Sequence, residues 1–425
     1  MERIRDKAVA VGVQLNQETG FAGSMEELRS LAEACELEVV GELTQKADRI
    51  QPSSYMGTGK LKELKALMAG SEARVAVFND ELSPSQIRNL EAELDCRVID
   101  RTLLILDIFA NRAQTREAKL QVEVARLQYM LPRLIGLRES LGRQGGGAGL
   151  KNRGSGETKL ELDRRRIEDR ISALQTDLEK LVERRQVQRN KRRKNEIPVV
   201  CLVGYTNAGK SSLMNAFIRA FNPASDKEVL AKDMLFATLE TSVRSISLPN
   251  RRSFLLADTV GFVSQLPHHL VKAFRSTLEE VTDADLLLHV VDCSDPESAK
   301  RIEVTNETLR ELGAGDIPVL YAYNKADRVP DLAYPKLGDG GVYLSASKGA
   351  GIEELARLIA ERVFADDKTC EVLIPYDQGQ LVSYFQENAV IHAMSHEENG
   401  TRLEMTCREA DYDKYRDVFE ATEAN

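Results

Sequence analysis

Residues 199–211 read Val199-Val200-Cys201-Leu202-Val203-Gly204-Tyr205-Thr206-Asn207-Ala208-Gly209-Lys210-Ser211. An apolar strand runs into the pattern G-x-x-x-x-G-K-[ST], and an amphipathic stretch over 212–221 follows. Strand, glycine-rich loop and helix in that order are the context that makes this pattern a phosphate loop. The N–H groups of Tyr205, Thr206, Asn207, Ala208 and Gly209, with the first turn at Lys210, Ser211 and Ser212, are placed to surround phosphates. Lys210 offsets charge on the β- and γ-phosphates, and the Ser211 hydroxyl can ligate Mg²⁺. By itself the pattern also fits an ATPase.

A second motif decides between the bases. Asn324-Lys325-Ala326-Asp327 ends a later strand, where open α/β sheets bind their ligands. Asp327 can accept from both the N1–H and the exocyclic amine of guanine, and adenine lacks that donor pair. Ser345-Ala346-Ser347 follows the next strand and completes the expected base pocket. Between these, Asp258-Thr259-Val260-Gly261 ends another strand. Asp258 is expected to hold Mg²⁺ through water, and the Gly261 amide to reach the γ-phosphate. Thr238 is the candidate switch threonine that ligates Mg²⁺ only while the γ-phosphate is present, and Phe236 joins the nucleotide-binding set. Lys210, Thr238 and Gly261 form the candidate catalytic group. Phe262 follows Gly261, and a phenyl ring cannot orient water by hydrogen bonding. Slow intrinsic turnover that rises on docking is therefore expected. Asn207 matches an asparagine that helps some relatives of this class bind a monovalent cation, so K⁺ is a candidate in place of an arginine finger.

The chain of 425 residues predicts two to four domains. No apolar run spans a bilayer, and the N-terminus has no signal-peptide pattern. Six isolated cysteines fit a reducing compartment better than a zinc site or disulfide frame. The net charge is −9, yet 112–196 carries 22 Lys and Arg against 12 Asp and Glu. That segment is net +10, and the remainder is about −19.

The predicted architecture is α/β. A P-loop domain with a mainly parallel, doubly wound sheet (197–366) follows a small α/β domain (1–114) and an antiparallel helical hairpin (115–196). A small α+β domain (370–425) ends it. In the hairpin, Leu120, Val124, Leu127, Leu131 and Leu134 recur at helical spacing, as do Ile167, Ile171, Leu174, Leu178 and Leu181. Pro132 is expected to kink the first helix. The joining loop, 144–157, is glycine-rich and basic. Arg143, Lys151 and Arg153 are candidate RNA phosphate contacts, with glycines permitting close backbone approach. Gly57-Thr58-Gly59-Lys60 resembles half a phosphate loop but reads as a turn and helix start.

The whole chain resembles the HflX family of translational GTPases. The stretches that carry the resemblance include Asn79-Asp80-Glu81-Leu82-Ser83-Pro84, Asp107-Ile108-Phe109-Ala110-Asn111-Arg112-Ala113, Arg143-Gln144-Gly145-Gly146-Gly147, Phe236-Ala237-Thr238-Leu239 and Asp258-Thr259-Val260-Gly261-Phe262. The resemblance implies binding of GTP and GDP, Mg²⁺, attachment to the large (50S) ribosomal subunit and its rRNA, and in some members dissociation or rescue of stalled ribosomes under stress. The sequence itself points to a cytoplasmic protein without a membrane span, expected as a monomer that associates peripherally through ribosomes. The chain departs from the family at Ser155, where a proline is usual, and at Glu240, where aspartate is usual. Two other functions remain open: a GTP-dependent switch for a protein partner, and an ATP-driven RNA remodeller using the first domain.

Overall fold

The structure is a computed structural model that describes residues 5–16, 20–144, 153–194, 197–222, 236, 241–249, 252–264, 280–338 and 340–423, with 134–144, 153–160, 183–194 and 420–423 described by backbone alone. Strands β1 (Asp6–Leu15), β2 (Leu37–Ala47), β3 (Val75–Phe78) and β4 (Arg97–Asp100) form a parallel sheet in the order β2-β1-β3-β4. Helices α1 (Phe21–Ala34), α2 (Thr58–Ser71), α3 (Pro84–Leu94) and α4 (Arg101–Arg112) accompany it. Ala8 and Ala10 of β1 pack with Leu28, Leu31 and Ile105, while Val9 and Val11 pack with Leu64, Phe78 and Leu90. A parallel strand buried on both faces requires that unbroken apolar run. Each such Leu or Phe contributes about 2 kcal/mol.

Local chemistry sets the helix starts. At α3, Ser83 and Gln86 cap each other's backbone N–H groups and Pro84 opens the first turn. At α4, a helix that sequence reading did not assign, the Asp100 carboxylate accepts from Leu103 N at 2.8 Å. The segment 57–60 is a helix start: α2 begins at Thr58 behind Gly57.

Helices α5 (Arg116–Gln144) and α6 (Arg153–Lys194) follow. The inner face of α5 places Ala118, Val122, Ala125 and Tyr129 in the first domain's core. Tyr129 donates to Asp100 at 2.7 Å and Arg133 pairs with the same carboxylate at 3.2 Å, which anchors α5. Its other face packs Leu120, Val124, Leu127 and Leu131 on Ile167, Ile171, Leu174 and Leu178 of α6. The pairs Arg116–Asp177 and Glu123–Arg170 run in opposite directions along the two helices, so the pair is antiparallel. Pro132 lies inside α5. At 42 residues, α6 is about 60 Å long.

The third unit contains β5 (Val199–Val203), α7 (Lys210–Phe221), β6 (Ser242–Ser247), β7 (Ser253–Asp258), β8 (Leu286–Asp292), α8 (Ser298–Glu311), β9 (Val319–Asn324), β10 (Lys336–Gly338), β11 (Gly341–Tyr343) and α9 (Ile352–Val363). Its sheet order is β10-β11-β9-β8-β5-β7-β6, parallel except for the outer strands β6 and β10. Those two antiparallel edges were not foreseen. They are short and half-exposed, without the apolar runs that reveal the central strands. The strand order reverses between β5 and β8, which puts a crevice at their carboxyl ends.

Last come β12 (Lys368–Pro375), α10 (Gly379–Asn388), β13 (Val390–Glu397), β14 (Gly400–Cys407) and α11 (Glu409–Glu423). The antiparallel sheet, ordered β12-β14-β13, buries Leu403 and Met405 against Phe385 and Phe419. Among the described residues, no helix is long and apolar enough to cross a membrane.

Removing the α3 cap tests this account of local structure. Ser83→Ala is expected to destabilise the first domain by about 1 kcal/mol, with Ser83→Asp retaining most of the stability. Urea unfolding followed by circular dichroism measures both.

Candidate functional site

The phosphate loop crosses the crevice between β5 and α7. At Gly204 the backbone takes φ 140°, and a Cβ there would lie 2.3 Å from the Val290 carbonyl of β8. Lys210 opens α7 and donates to the carbonyls of Gly204 at 3.0 Å and Tyr205 at 2.9 Å. These two bonds fold the buried ammonium over the cradle. Burial pushes its pKa down to about 8, against the opposing pull of Asp258. Ser211 Oγ donates to Asp258 Oδ2 at 2.6 Å. A helix start and the end of β7 thus deliver two hard oxygen groups to one point.

The segment after β7 lies directly on the loop. Thr206 N donates to the Phe262 carbonyl at 2.7 Å, and Phe262 N to the Gly204 carbonyl at 3.2 Å. A Cβ on Gly261 would come within 2.7 Å of Thr206 Cα and 2.8 Å of Lys210 Nζ. Only glycine permits that approach. The Phe262 ring points away into a core with Cys201, Val203, Ala257 and Leu287. It is a packing residue, in keeping with the expectation that it orients no water.

The base-recognition motifs are wired to the same loop. Asn324 ends β9 and donates through Nδ2 to Ala208 O at 2.9 Å, while its Oδ1 accepts from Ala346 N at 3.0 Å. Ser345 Oγ donates to Asp327 Oδ1 at 2.6 Å and lies 3.1 Å from Ser347 Oγ. Lys325 adopts φ 62° and pairs with Asp292 at 2.8 Å. Burial acts to raise the Asp292 carboxyl, but hydrogen bonds from Lys325 and Ser294 outweigh it and hold the pKa below the ordinary value. Sequence reading did not single out Asp292. Its position ending the apolar run Leu286–Asp292 was the available signal.

Of the expected site residues, the structure therefore brings together Gly204, Tyr205, Thr206, Ala208, Gly209, Lys210, Ser211, Asp258, Gly261, Asn324, Lys325, Asp327, Ser345, Ala346 and Ser347. Asn207 is exposed on the loop's crown with φ 60°, and Ser212 lies in the first turn of α7. The Phe236 ring is 2% exposed and lies in the first domain's core, T-shaped to Phe109 of α4 at 4.7 Å. Thr238 and Lys151 lie outside the described residues, and Arg143 and Arg153 are placed only by the backbone of α5 and α6.

Tyr205 was expected only for its backbone, yet its side chain reaches the first domain. The hydroxyl donates to Glu27 Oε1 of α1 at 2.7 Å and accepts from Ser264 N at 2.7 Å. Burial, reinforced by the Glu27 charge, pushes the phenol pKa up, so it remains a donor. Glu27 in turn pairs with Arg101 at 2.6 Å, with side chains only 8% and 2% exposed. Nothing in the sequence marked this pair, because its members are 74 positions apart.

A phosphate loop at a strand-order reversal, joined through asparagine to a guanine-type motif, defines a P-loop GTPase. The chain matches family models described as GTP-binding GTPase N-terminal over 22–110, GTP-binding GTPase middle region over 112–192, and 50S ribosome-binding GTPase over 199–325. It is 43% identical over 408 residues to GTPase HflX of Caldanaerobacter subterraneus subsp. tengcongensis, covering 96% of this chain and 93% of that one. GTPase HflX of Escherichia coli is 40% identical over 402 residues, covering 93% and 92%. Among solved structures, a GTP-binding protein from Sulfolobus solfataricus in complex with GDP is similar at 26% identity and TM-score 0.44, covering 84% of this chain and 99% of that one. The chain belongs to the HflX family, a family of ribosome-associated GTPases, and is a GTP hydrolase.

His289 of β8 offers a test of the packing beneath the loop. It is 1% exposed, and burial, followed by the nearby Lys210 charge, pushes its pKa down to about 4. The unfolded chain then binds the extra proton between its ordinary pKa and about 4, so stability is lost as pH falls through that window. His289→Gln is expected to remove roughly 3 kcal/mol of that acid sensitivity once titration is complete. Chemical denaturation of both nucleotide-free proteins at pH 7 and at acid pH measures it.

Proposed function

We propose that this GTPase binds the large ribosomal subunit and couples GTP binding and hydrolysis to ribosome dissociation, rescue or assembly under stress. The observation that carries the reading is the α5–α6 hairpin. One end is anchored to the first domain by Asp100, Tyr129 and Arg133, while α6 packs its apolar stripe on α5. Its sequence segment holds the chain's excess of positive charge. A basic pair of helices with a glycine-rich connection suits a narrow rRNA channel better than a protein surface. The match to a model described as 50S ribosome-binding GTPase supports the same partner.

In this reading the loop amides of 205–211 and Lys210 hold the β- and γ-phosphates, and the Gly261 amide meets the γ-phosphate. Asp327 accepts from guanine, with Ser345, Ala346 and Ser347 closing the base pocket. The residues present fit Mg²⁺: Ser211 Oγ and Asp258, already 2.6 Å apart, are hard donors at the cradle's edge. Bound there, the ion would neutralise charge on the β- and γ-oxygens. Thr238 would be a third ligand. Asn207, exposed at the crown, is the position to test for K⁺. Because Phe262 is a core residue, the donor that orients water comes from elsewhere, and docking on the ribosome is the step that supplies it.

Hydrolysis is expected to rise on the order of 10²-fold with purified 50S subunits, with Lys210→Ala as the inactive blank. Replacing Arg143, Lys151 and Arg153 together by alanine should weaken salt-sensitive co-sedimentation with 50S. Rate loss in Na⁺ relative to K⁺ would support the cation role of Asn207. GTP binding without stimulation at low salt would instead point to a protein partner. Asp327→Asn should weaken GTP by about 10²-fold or more through loss of two charge-assisted hydrogen bonds, measured by nucleotide titration.

A further inference from the structure

We propose that Tyr205 is a positioning residue for the hydrolysis reaction, its hydroxyl fixing the segment after Gly261 against the phosphate loop. The inference rests on the reading of Gly261 as the γ-phosphate donor.

Tyr205 works at both ends. Its carbonyl accepts from Lys210 Nζ at 2.9 Å, which joins it to the phosphate cradle. Its hydroxyl lies 2.7 Å from each of three partners: Ser264 N, Ser264 Oγ and Glu27 Oε1. The ring between these ends is rigid and 5% exposed, with Arg301 stacked over it at 4.8 Å. Glu27 cannot drift, because its other oxygen pairs with Arg101, and Arg101 also donates to Asn79 at 3.1 Å.

Gly261 precedes two anchored points. Phe262 is held by backbone bonds to Gly204 and Thr206, and Ser264 by the Tyr205 hydroxyl. The first anchor is a bridge at a single residue, and it leaves the chain beyond Phe262 without a hold. The second holds the chain two residues on, and the pair together keep the Gly261 amide aimed. Preorganised donors act only when held in place before charge develops. The γ-phosphate is present in GTP and absent from GDP. A residue that merely packs the loop would affect both nucleotides equally, whereas one that aims Gly261 affects GTP alone.

The test uses the full chain with Tyr205→Phe, which keeps the ring and removes the hydroxyl. Affinity for a non-hydrolysable GTP analogue is expected to fall about fivefold, as for one lost hydrogen bond, with GDP affinity unchanged. Hydrogen exchange of the 261–264 amides should accelerate in the same variant. Ser264→Ala removes the side-chain contact alone and serves if Tyr205→Phe does not fold, with a smaller loss again confined to the GTP analogue. Equal losses for both nucleotides, or no loss for either, would overturn the role of Tyr205. Hydrogen exchange of the Gly261 amide in the unsubstituted chain separates the two ideas. If the GTP analogue slows it and GDP does not, while Tyr205→Phe leaves both affinities unchanged, only the Tyr205 inference fails. If the analogue does not slow it, the reading of Gly261 itself fails.

Discussion

Close backbone approach holds the phosphate loop, and the surrounding architecture follows from it. Gly204 sits so near the Val290 carbonyl that a methyl group would be 2.3 Å from it. On another side, Phe262 accepts from Thr206 N and donates to the Gly204 carbonyl, a parallel bridge opposite Tyr205. Asn324 closes a third side through Ala208. These contacts require β8, β9 and the end of β7 at fixed separations, which the central parallel ladders of the sheet supply. A lost ladder register would move a recognition residue away from the phosphates, as well as weakening the core. Stability and site geometry are therefore one constraint here.

The first domain belongs to that constraint. Phe109 of α4 meets Phe236, and Val260 and Val263 sit in the same apolar cluster as Leu28 and Ile105. The buried Glu27–Arg101 pair adds a polar junction reaching Tyr205. A buried ion pair contributes little net stability compared with an apolar replacement, but breaking one partner is costly. Its chief effect is to fix geometry, since Arg101 holds Glu27 where its other oxygen accepts from the Tyr205 hydroxyl of the GTPase unit. Such a junction makes the placement of the first domain and the state of the 261–264 segment interdependent.

The other units attach differently. Only part of α5 is built into the first domain, and α6 adds its stripe of Ile167, Ile171, Leu174 and Leu178 to α5. On the outer side of α6, Arg164, Arg165 and Arg166 face solvent. At the far end of the chain, Arg252 pairs with Asp367 at 2.7 Å and lies over the Phe364 ring at 4.9 Å. These contacts hold the segment just before β12 against the GTPase unit.

The sequence by itself determined the class of the protein and most of its chemistry. The loop 204–211, the Asp258–Gly261 turn, and the Asn324–Asp327 and Ser345–Ser347 motifs were legible because each is a short run whose residue types are demanded by a ligand. The central strands and the hairpin seam were legible because burial imposes a period on apolar residues. The edge strands β6 and β10 lacked that period, and α4, which follows β4 without a break, was left unassigned. Tertiary structure alone decided what lies far apart in sequence: Glu27 beside Tyr205, Phe109 against Phe236, Asp292 paired with Lys325. Phe236 shows the difference, since nothing in its motif signalled that its ring enters another domain's core. A motif specifies which atoms a ligand needs, but packing of distant segments decides which side chains are left to face it.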